Sequence, residues 1–333
     1  MSERYFLVRS PYRVSLFGGG TDYPEYYQSN KGAVIGFSIN KFIYLGGLLT
    51  NDYVDYKYRL AYSKLETTTK INEIYHPAVR EGMKYMGFNL PIDFSFQSDL
   101  PASSGLGSSS SFSTGLIKLI SEIQGKNISK KNLSNKAIHL DRNILREDVG
   151  VQDHLHAAYG GFNKFSFRTS SIKRKTIELK SNKIKILQNS MMLVYTGKKR
   201  SASSIAAEQI KRTKSKEIET DLDEIFQLVI ESEKILKNFD SESIEGLGNL
   251  LNEYWNIKRS LTNKISAAYL NSIYEKGIKL GAYGGKLCGA GGGGFFLFIM
   301  PFEKKKDFRE YFGEKNCIDF SIDFSGTKLI FKG

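Results

Sequence analysis

The sequence predicts an α+β protein built as two lobes, and three observations carry that expectation. The first half is dense in short apolar and alternating runs that read as strands, the second half carries four long helical patterns, and 333 residues are enough to bury two cores. The basic, polar stretch Lys180 to Lys185 lies between the halves, so the expected lobes are residues 1–185 and 186–333.

The elements follow in chain order. Tyr5 to Phe17, Ala33 to Ile39, Phe42 to Leu49 and Tyr53 to Tyr62 are rich in β-branched and aromatic residues and read as strands. Ile71 to Met86 has a helical pattern, and Ile92 to Gln97 is a strand that leads into a Gly- and Ser-rich loop. Phe112, Leu116, Leu119, Ile120 and Ile123 share one helical face that stops at Gly125. A second helix, Asp141 to Ala158, is expected to pack behind the strands with it. Gly160 to Phe167 and Lys175 to Leu179 read as further strands. Beyond Ile186, the strand MMLVYTG gives way to helices near Ala202 to Lys216, Leu222 to Asn238, Ile244 to Lys258 and Ser266 to Leu280. Strands at Phe295 to Met300, Ile318 to Phe324 and Lys328 to Phe331 are expected to close the second lobe.

Composition excludes several classes. A hydrophobic fraction of 41% with 25% charged residues is that of a soluble globular chain. The segment after Met1 is charged rather than apolar, and the apolar run at Phe295 to Met300 is too short to span a bilayer, so a cytoplasmic protein without membrane contact is expected. Two cysteines make no disulfide framework, and four histidines without a His/Cys cluster make no zinc or iron site. The net charge of +13 raises nucleic acid as a partner, but the lysines are scattered over Lys126–Lys136, Lys173–Lys185, Lys198–Lys216 and Lys304–Lys306 rather than aligned in one stripe. No nucleic-acid partner is therefore expected, and the positive field would help to collect small anionic substrates. Oligomeric state is left open.

Three glycine-bearing segments carry the chemistry. LPASSGLGSSSSFS, Leu100 to Ser113, runs into the amphipathic helix and reads as a phosphate cradle. Gly105 and Gly107 can take positive φ, and a helix starting near Ser108 would aim free N–H groups at an anion. No lysine lies between Leu100 and Leu116, so this is not a Walker A loop, and backbone amides and hydroxyls must hold the phosphates. Ser10 to Tyr23, SPYRVSLFGGGTDY, is a strand ending in a glycine turn. Lys286 to Phe298, KLCGAGGGGFFLF, places four consecutive glycines before an apolar strand, which points to a close approach to phosphates or substrate.

In this order the three segments resemble the signatures of the GHMP kinases. The resemblance implies a ribosomal S5 domain 2-like N-terminal lobe with a left-handed β-α-β crossover, a ferredoxin-like C-terminal lobe, and ATP with Mg²⁺. The cradle would be Pro101, Ser103, Ser104, Gly105, Leu106, Gly107, Ser108, Ser109 and Ser110. Asp153, in Gly150-Val-Gln-Asp, would be the catalytic base with Arg13 as its cationic partner, lowering the cost of the developing alkoxide. Ser109 and Asp141 would hold the metal; Asp141 is shorter than the family's usual Glu, and Glu147 is the reserve. His154 and His156 read as ordinary helix residues. Gly18, Gly19, Gly20, Thr21 and Asp22, Thr196, Gly197, Arg200 and Ser201, and Gly291, Gly292 and Gly293 would face the acceptor. Where sugar kinases of the family carry Glu and His, this chain has Gly19 and Gly20, which leaves space for a larger or differently shaped sugar.

Tyr195 to Ser203, Trp255 to Lys258, Lys279 to Gly294 and the Phe17-Gly-Gly-Gly-Thr-Asp and Val151-Gln-Asp tracts are similar to the branch containing the D-glycero-D-manno-heptose 7-phosphate kinases. That implies transfer to the anomeric C1 hydroxyl of a small-molecule sugar phosphate, giving a 1,7-bisphosphate for nucleotide-activated heptose synthesis. Lys198, Lys199, Arg200 and Ser201, at the start of a helix, would grip the phosphate already present. A fucokinase-like sugar 1-kinase, an isoprenoid-pathway kinase and a non-catalytic ligand-binding protein are the alternatives.

Overall fold

The computed structural model describes residues 3–51, 54–198 and 203–333. The first lobe contains β1 (Tyr5–Phe17), α1 (Pro24–Tyr27), β2 (Gly32–Leu49), β3 (Tyr58–Ala61), β4 (Leu65–Thr68), α2 (Pro77–Met86), β5 (Ile92–Ser98), α3 (Ser108–Ile123), α4 (Lys130–His139), α5 (Gln152–Tyr159), β6 (Phe162–Arg168) and β7 (Ser171–Thr176). The second contains α6 (Ser181–Asn189), β8 (Met191–Tyr195), α7 (Ser203–Lys214), α8 (Glu219–Lys237), α9 (Ser243–Ser260), α10 (Ala268–Lys279), β9 (Gly284–Leu287), β10 (Phe295–Ile299), α11 (Lys304–Phe312) and β11 (Cys317–Ile318). A last strand, β12 (Lys328–Lys332), follows.

The larger sheet has the order β12-β1-β2-β5-β3-β4, with β6 and β7 branching from β2. β2 is one long strand rather than two. Its first part pairs with β6 and its last part with β5, and the polar Asn40-Lys41 pair, which breaks the sequence pattern, lies between those partners. β3 and β5 run parallel, joined through β4 and α2, as a β-α-β crossover requires. α3 lies against β1 and β2, with α4 and α5 beside it. The second sheet, β11-β8-β10-β9, is antiparallel throughout. Its face carries an aromatic core in which Trp255 meets Phe296 edge-on at 5.5 Å and Phe298 meets Phe308 at 5.2 Å. One apolar cluster runs through both lobes, from Phe6 and Leu45 to Trp255 and Phe298.

Several sequence expectations are corrected. Lys328 to Lys332 does not close the second lobe; it pairs with β1, Phe6 opposite Lys332 and Arg9 opposite Lys328, and returns the chain end to the first sheet. The helix expected over Asp141 to Ala158 is broken into a wider π turn at Leu140–Ile144, a loop, and α5. At that break Arg146 has φ 57°, and Gly150 lies so close to Asp22 that a Cβ would stand 2.0 Å from Oδ2. Ile71 to Met86 keeps its helix only from Pro77, whose fixed φ suits the first helical turn. Lys180 to Lys185, the expected lobe boundary, runs into α6, and α4 and α11, both lysine-rich, have patterns too polar to have been read as helices.

His156 is fully buried against the edge of Phe165, 5.0 Å away, with neither ring nitrogen hydrogen-bonded. Burial, with repulsion from Arg13, pushes its pKa down to about 3. An unfolded histidine takes a proton below about pH 6.5, which the folded one refuses until about pH 3. The stability present above the unfolded value is therefore lost as pH falls through that window, by up to about 1.4 kcal/mol per pH unit. His156→Phe should flatten the decline of the thermal midpoint between pH 6.5 and pH 4; an unchanged pH profile would assign that decline to other groups.

Candidate active site

β1 delivers Arg13 beneath the glycine-serine loop. Its side chain forks onto Asp153, with Nε to Oδ1 at 2.7 Å and Nη2 to Oδ2 at 2.6 Å, while Nη1 donates to the Gly105 carbonyl at 2.8 Å. Its backbone N–H donates to the Leu106 carbonyl. One buried guanidinium thus fixes the Asp153 carboxylate and the glycine-serine loop together. Burial alone would lower the pKa of Arg13, but attraction and hydrogen bonding from Asp153 outweigh it and push the value up.

The cradle itself is held from below. The Leu100 carbonyl accepts from the hydroxyls of Tyr12 and Ser98, both at 2.9 Å. Ser103, Gly105 and Gly107 all have positive φ, and Gly107 caps α3 without a side-chain oxygen, so the amides of the first turn are left for a ligand. Ser103, Gly105, Gly107, Ser108, Ser109 and Ser110 line a cleft of about 510 Å³; Pro101, Ser104 and Leu106 do not, Leu106 being a fully buried anchor. Ser109 Oγ donates to Glu147 at 3.3 Å.

Asp141 lies elsewhere. It is fully buried, accepting from Ser113 Oγ at 2.6 Å on one oxygen and meeting His154 Nε2 at 2.8 Å with the other, and it does not line the cleft. Glu147 does line it, and burial, then repulsion from Asp141, raises its pKa. His154, expected to be an ordinary helix residue, is instead a member of this buried network.

The turn after β1 divides its residues. Gly19, Gly20 and Asp22 reach the cleft. Gly18 is packed against the Ala33 carbonyl and Thr21 is buried, its hydroxyl bonded to Gly18 and Ala33, so these two shape the turn. Asp22 accepts from the Gly20 and Gln152 amides and from Gln152 Nε2, which places its carboxylate at the N-terminus of α5 and orients Asp153 one residue on. Burial, followed by repulsion from Asp153, raises the pKa of Asp22.

From the second lobe, Gly291 and Gly293 reach the cleft and Gly292 does not. All four glycines from Gly291 to Gly294 have positive φ. Their close approach is largely to protein: a Cβ on Gly294 would stand 2.3 Å from the Ser104 carbonyl, and one on Gly105 2.4 Å from that of Cys288. The glycine loop therefore clasps the cradle from behind as well as facing the cleft. Thr196 is buried and Gly197 exposed, both off the cleft, and Lys198 stacks on Tyr269 at 4.2 Å. Lys199, Arg200 and Ser201 lie outside the described residues.

Sequence reasoning named no role for Ser15, Gln152, Gln209, Tyr254, Lys258 or Lys286, all of which line the cleft. Lys258 donates to the carbonyls of Leu287 and Gly289, and Lys286 to those of Ser15 at 2.8 Å and Leu16 at 3.1 Å. Lys286 also lies 4.1 Å over the Tyr254 ring. Burial pushes Lys258 down to about 8 and Lys286 well below its ordinary value. A signal was present: Leu247, Leu251, Tyr254 and Lys258 share one helical face, and a lysine on an apolar stripe marks a buried charge with a task.

Comparison with known proteins agrees with this geometry. Residues 72–161 match the family described as GHMP kinases N terminal domain, and residues 235–318 match GHMP kinases C terminal; together they span more than half of the chain. The chain is 28% identical to a D-glycero-alpha-D-manno-heptose 7-phosphate kinase of Campylobacter jejuni over 96% of this chain and 97% of that one. It is 26% identical to a galactokinase of Pyrococcus furiosus over 90% of each. The fold superposes on the crystal structure of a D-glycero-D-manno-heptose 1-phosphate kinase from Bacteriodes thetaiotaomicron with a TM-score of 0.76 at 21% identity, covering 98% of both chains. No helix among the described residues is long and apolar enough to cross a membrane. With the two-lobed α+β fold and both halves of the family present, the chain belongs to the GHMP kinases and is an ATP-dependent phosphotransferase with an alcohol group as acceptor.

Proposed function

We propose that this protein transfers the γ-phosphoryl group of ATP to the anomeric C1 hydroxyl of a sugar, and that the sugar is D-glycero-D-manno-heptose 7-phosphate. The observation that carries the kinase chemistry is the position of Asp153. Its Oδ2 stands 3.2 Å from where a Cβ on Gly107 would be, so the base adjoins the first turn of the cradle. Each carboxylate oxygen keeps a free lone pair after bonding Arg13, and one of these accepts the proton of the acceptor hydroxyl as its oxygen bonds to the γ-phosphorus and the bond to the β-phosphate oxygen breaks. A loose transition state asks for positioning and a weak base, which a carboxylate clamped by arginine supplies.

Ser109 and Glu147 are the residues that fit Mg²⁺; a cation would offset the repulsion of Glu147 by Asp141, whereas both oxygens of Asp141 are already engaged. Bound there, the ion would neutralise charge on the phosphates. The heptose 7-phosphate kinase related over nearly the whole chain favours a phosphorylated sugar, and Lys258, which lines the cleft, is the lysine there that keeps a pKa of about 8. Release of ADP against hexoses, hexose phosphates, heptose 7-phosphates and mevalonate is the test. Turnover is expected with a heptose 7-phosphate, with Glu147→Gln raising the Mg²⁺ needed for half-maximal rate. Turnover on mevalonate alone would overturn the substrate reading.

A further inference from the structure

Three side chains lining the cleft are more than nine-tenths buried and leave a polar atom without a partner: Ser15 Oγ at 7% residue exposure, Gln152 Oε1 at 6% and Gln209 Nε2 at 4%. They come from β1, from the first turn of α5 and from α7 of the second lobe. Buried polar groups are ordinarily hydrogen-bonded, so three orphans in one small space mark a site whose partners arrive with a ligand.

The three side chains meet beside Gly19 and Gly20, whose missing side chains leave no extra room, contrary to the sequence expectation: a Cβ on Gly19 would stand 3.0 Å from Tyr254 Oη, and one on Gly20 3.0 Å from Leu222. A Cβ on Gly19 would lie 3.4 Å from Gln152 Nε2 and 3.7 Å from Ser15 Oγ, and one on Gly20 would lie 2.9 Å from Gln209 Nε2. The orientation of Gln152 is set by its Nε2, which donates to Asp22 Oδ1 at 3.0 Å and leaves Oε1 as an acceptor. Gln209 offers a donor, and the Ser15 hydroxyl can do either.

We infer that Ser15, Gln152 and Gln209 form the hydroxyl-binding subsite for the acceptor, with Gln209 joining the second lobe to substrate selection. This rests on reading the cleft as the kinase acceptor site. Acceptor, donor and hydroxyl together suit a polyhydroxylated molecule, whose adjacent hydroxyls donate and accept alternately, and they penalise an apolar one, which would leave all three unpaired.

The test is calorimetric binding without nucleotide, using heptose 7-phosphate, free hexoses and mevalonate as probes on wild type, Ser15→Ala and Gln209→Leu, with thermal melts and ATP binding on each variant. Each variant is expected to bind the sugar about tenfold more weakly, the loss of one hydrogen bond, and to bind ATP as before. Because each removes a buried unpaired polar group, the melting temperature should hold or rise, the opposite of what a purely structural role would give. Unchanged sugar binding in both variants, a lowered melting temperature with ATP and sugar lost together, or wild-type protein that binds mevalonate but no sugar would each overturn the inference. Sugar binding that depends on Gln209 without ADP release would uphold the subsite and remove the kinase reading.

Discussion

Asp153→Asn is expected to lower kcat by about a thousandfold while leaving ATP affinity within about twofold. The amide cannot accept the proton of the acceptor hydroxyl, and it breaks the charge match with Arg13, whose side chain is only 6% exposed. A buried guanidinium facing a neutral partner also costs stability, on the order of 1–3 kcal/mol, so the melting temperature should fall at the same time. Single-turnover rates under saturating ATP, paired with equilibrium nucleotide binding, separate the chemical defect from the structural one. A variant that turns over at the wild-type rate would take the base away from position 153 and leave positioning as the whole of catalysis.

Gly105→Ala is expected to damage nucleotide binding more than any other single-methyl change in the cradle. Gly105 has φ 77°, where an L side chain costs about 1–2 kcal/mol, and the added Cβ would stand 2.4 Å from the Cys288 carbonyl, a backbone atom that cannot rotate away. Either the cradle or the second glycine loop must move, and the carbonyl that Arg13 holds moves with it. ATP affinity should fall by at least tenfold and the melting temperature by several degrees. Gly87→Ala is the control, since Gly87 has φ 60° at the end of α2 with nothing within 4 Å of a Cβ. That variant should share the conformational cost but keep nucleotide binding. If Gly105→Ala binds ATP normally, the seam between the two glycine loops is not what shapes the cradle.

Much of this chemistry was legible in the chain because it rests on local patterns. The 3.6-residue period from Phe112 to Ile123, preceded by GLGSSSS, specifies a helix whose N-terminus is exposed to an anion whatever surrounds it. β1 runs from Tyr5 to Phe17, the limits its alternating and apolar residues predict. Asp141 shows where local reading ends. It sits on a helical stretch near Asp153 in sequence, but the π turn at Leu140–Ile144 and the loop before α5 rotate it away from the cleft, into contact with Ser113 and His154. Glu147, in the irregular loop, takes the place beside Ser109.

By itself the sequence determined the glycine-serine loop that runs into α3, the glycine turn after β1 and most of the strands of the first sheet, since each depends on residues within about a dozen positions of one another. Only the tertiary structure decided which of those residues meet. Arg13 reaches Asp153 across 140 positions, Lys286 reaches Ser15 across 271, and Gln209 of α7 faces Gly20 of the first lobe. The final strand pairs with β1 rather than with the sheet that precedes it. Such contacts are set by how two apolar faces pack and by which buried polar groups then find partners, and neither is written in the spacing of residues along the chain.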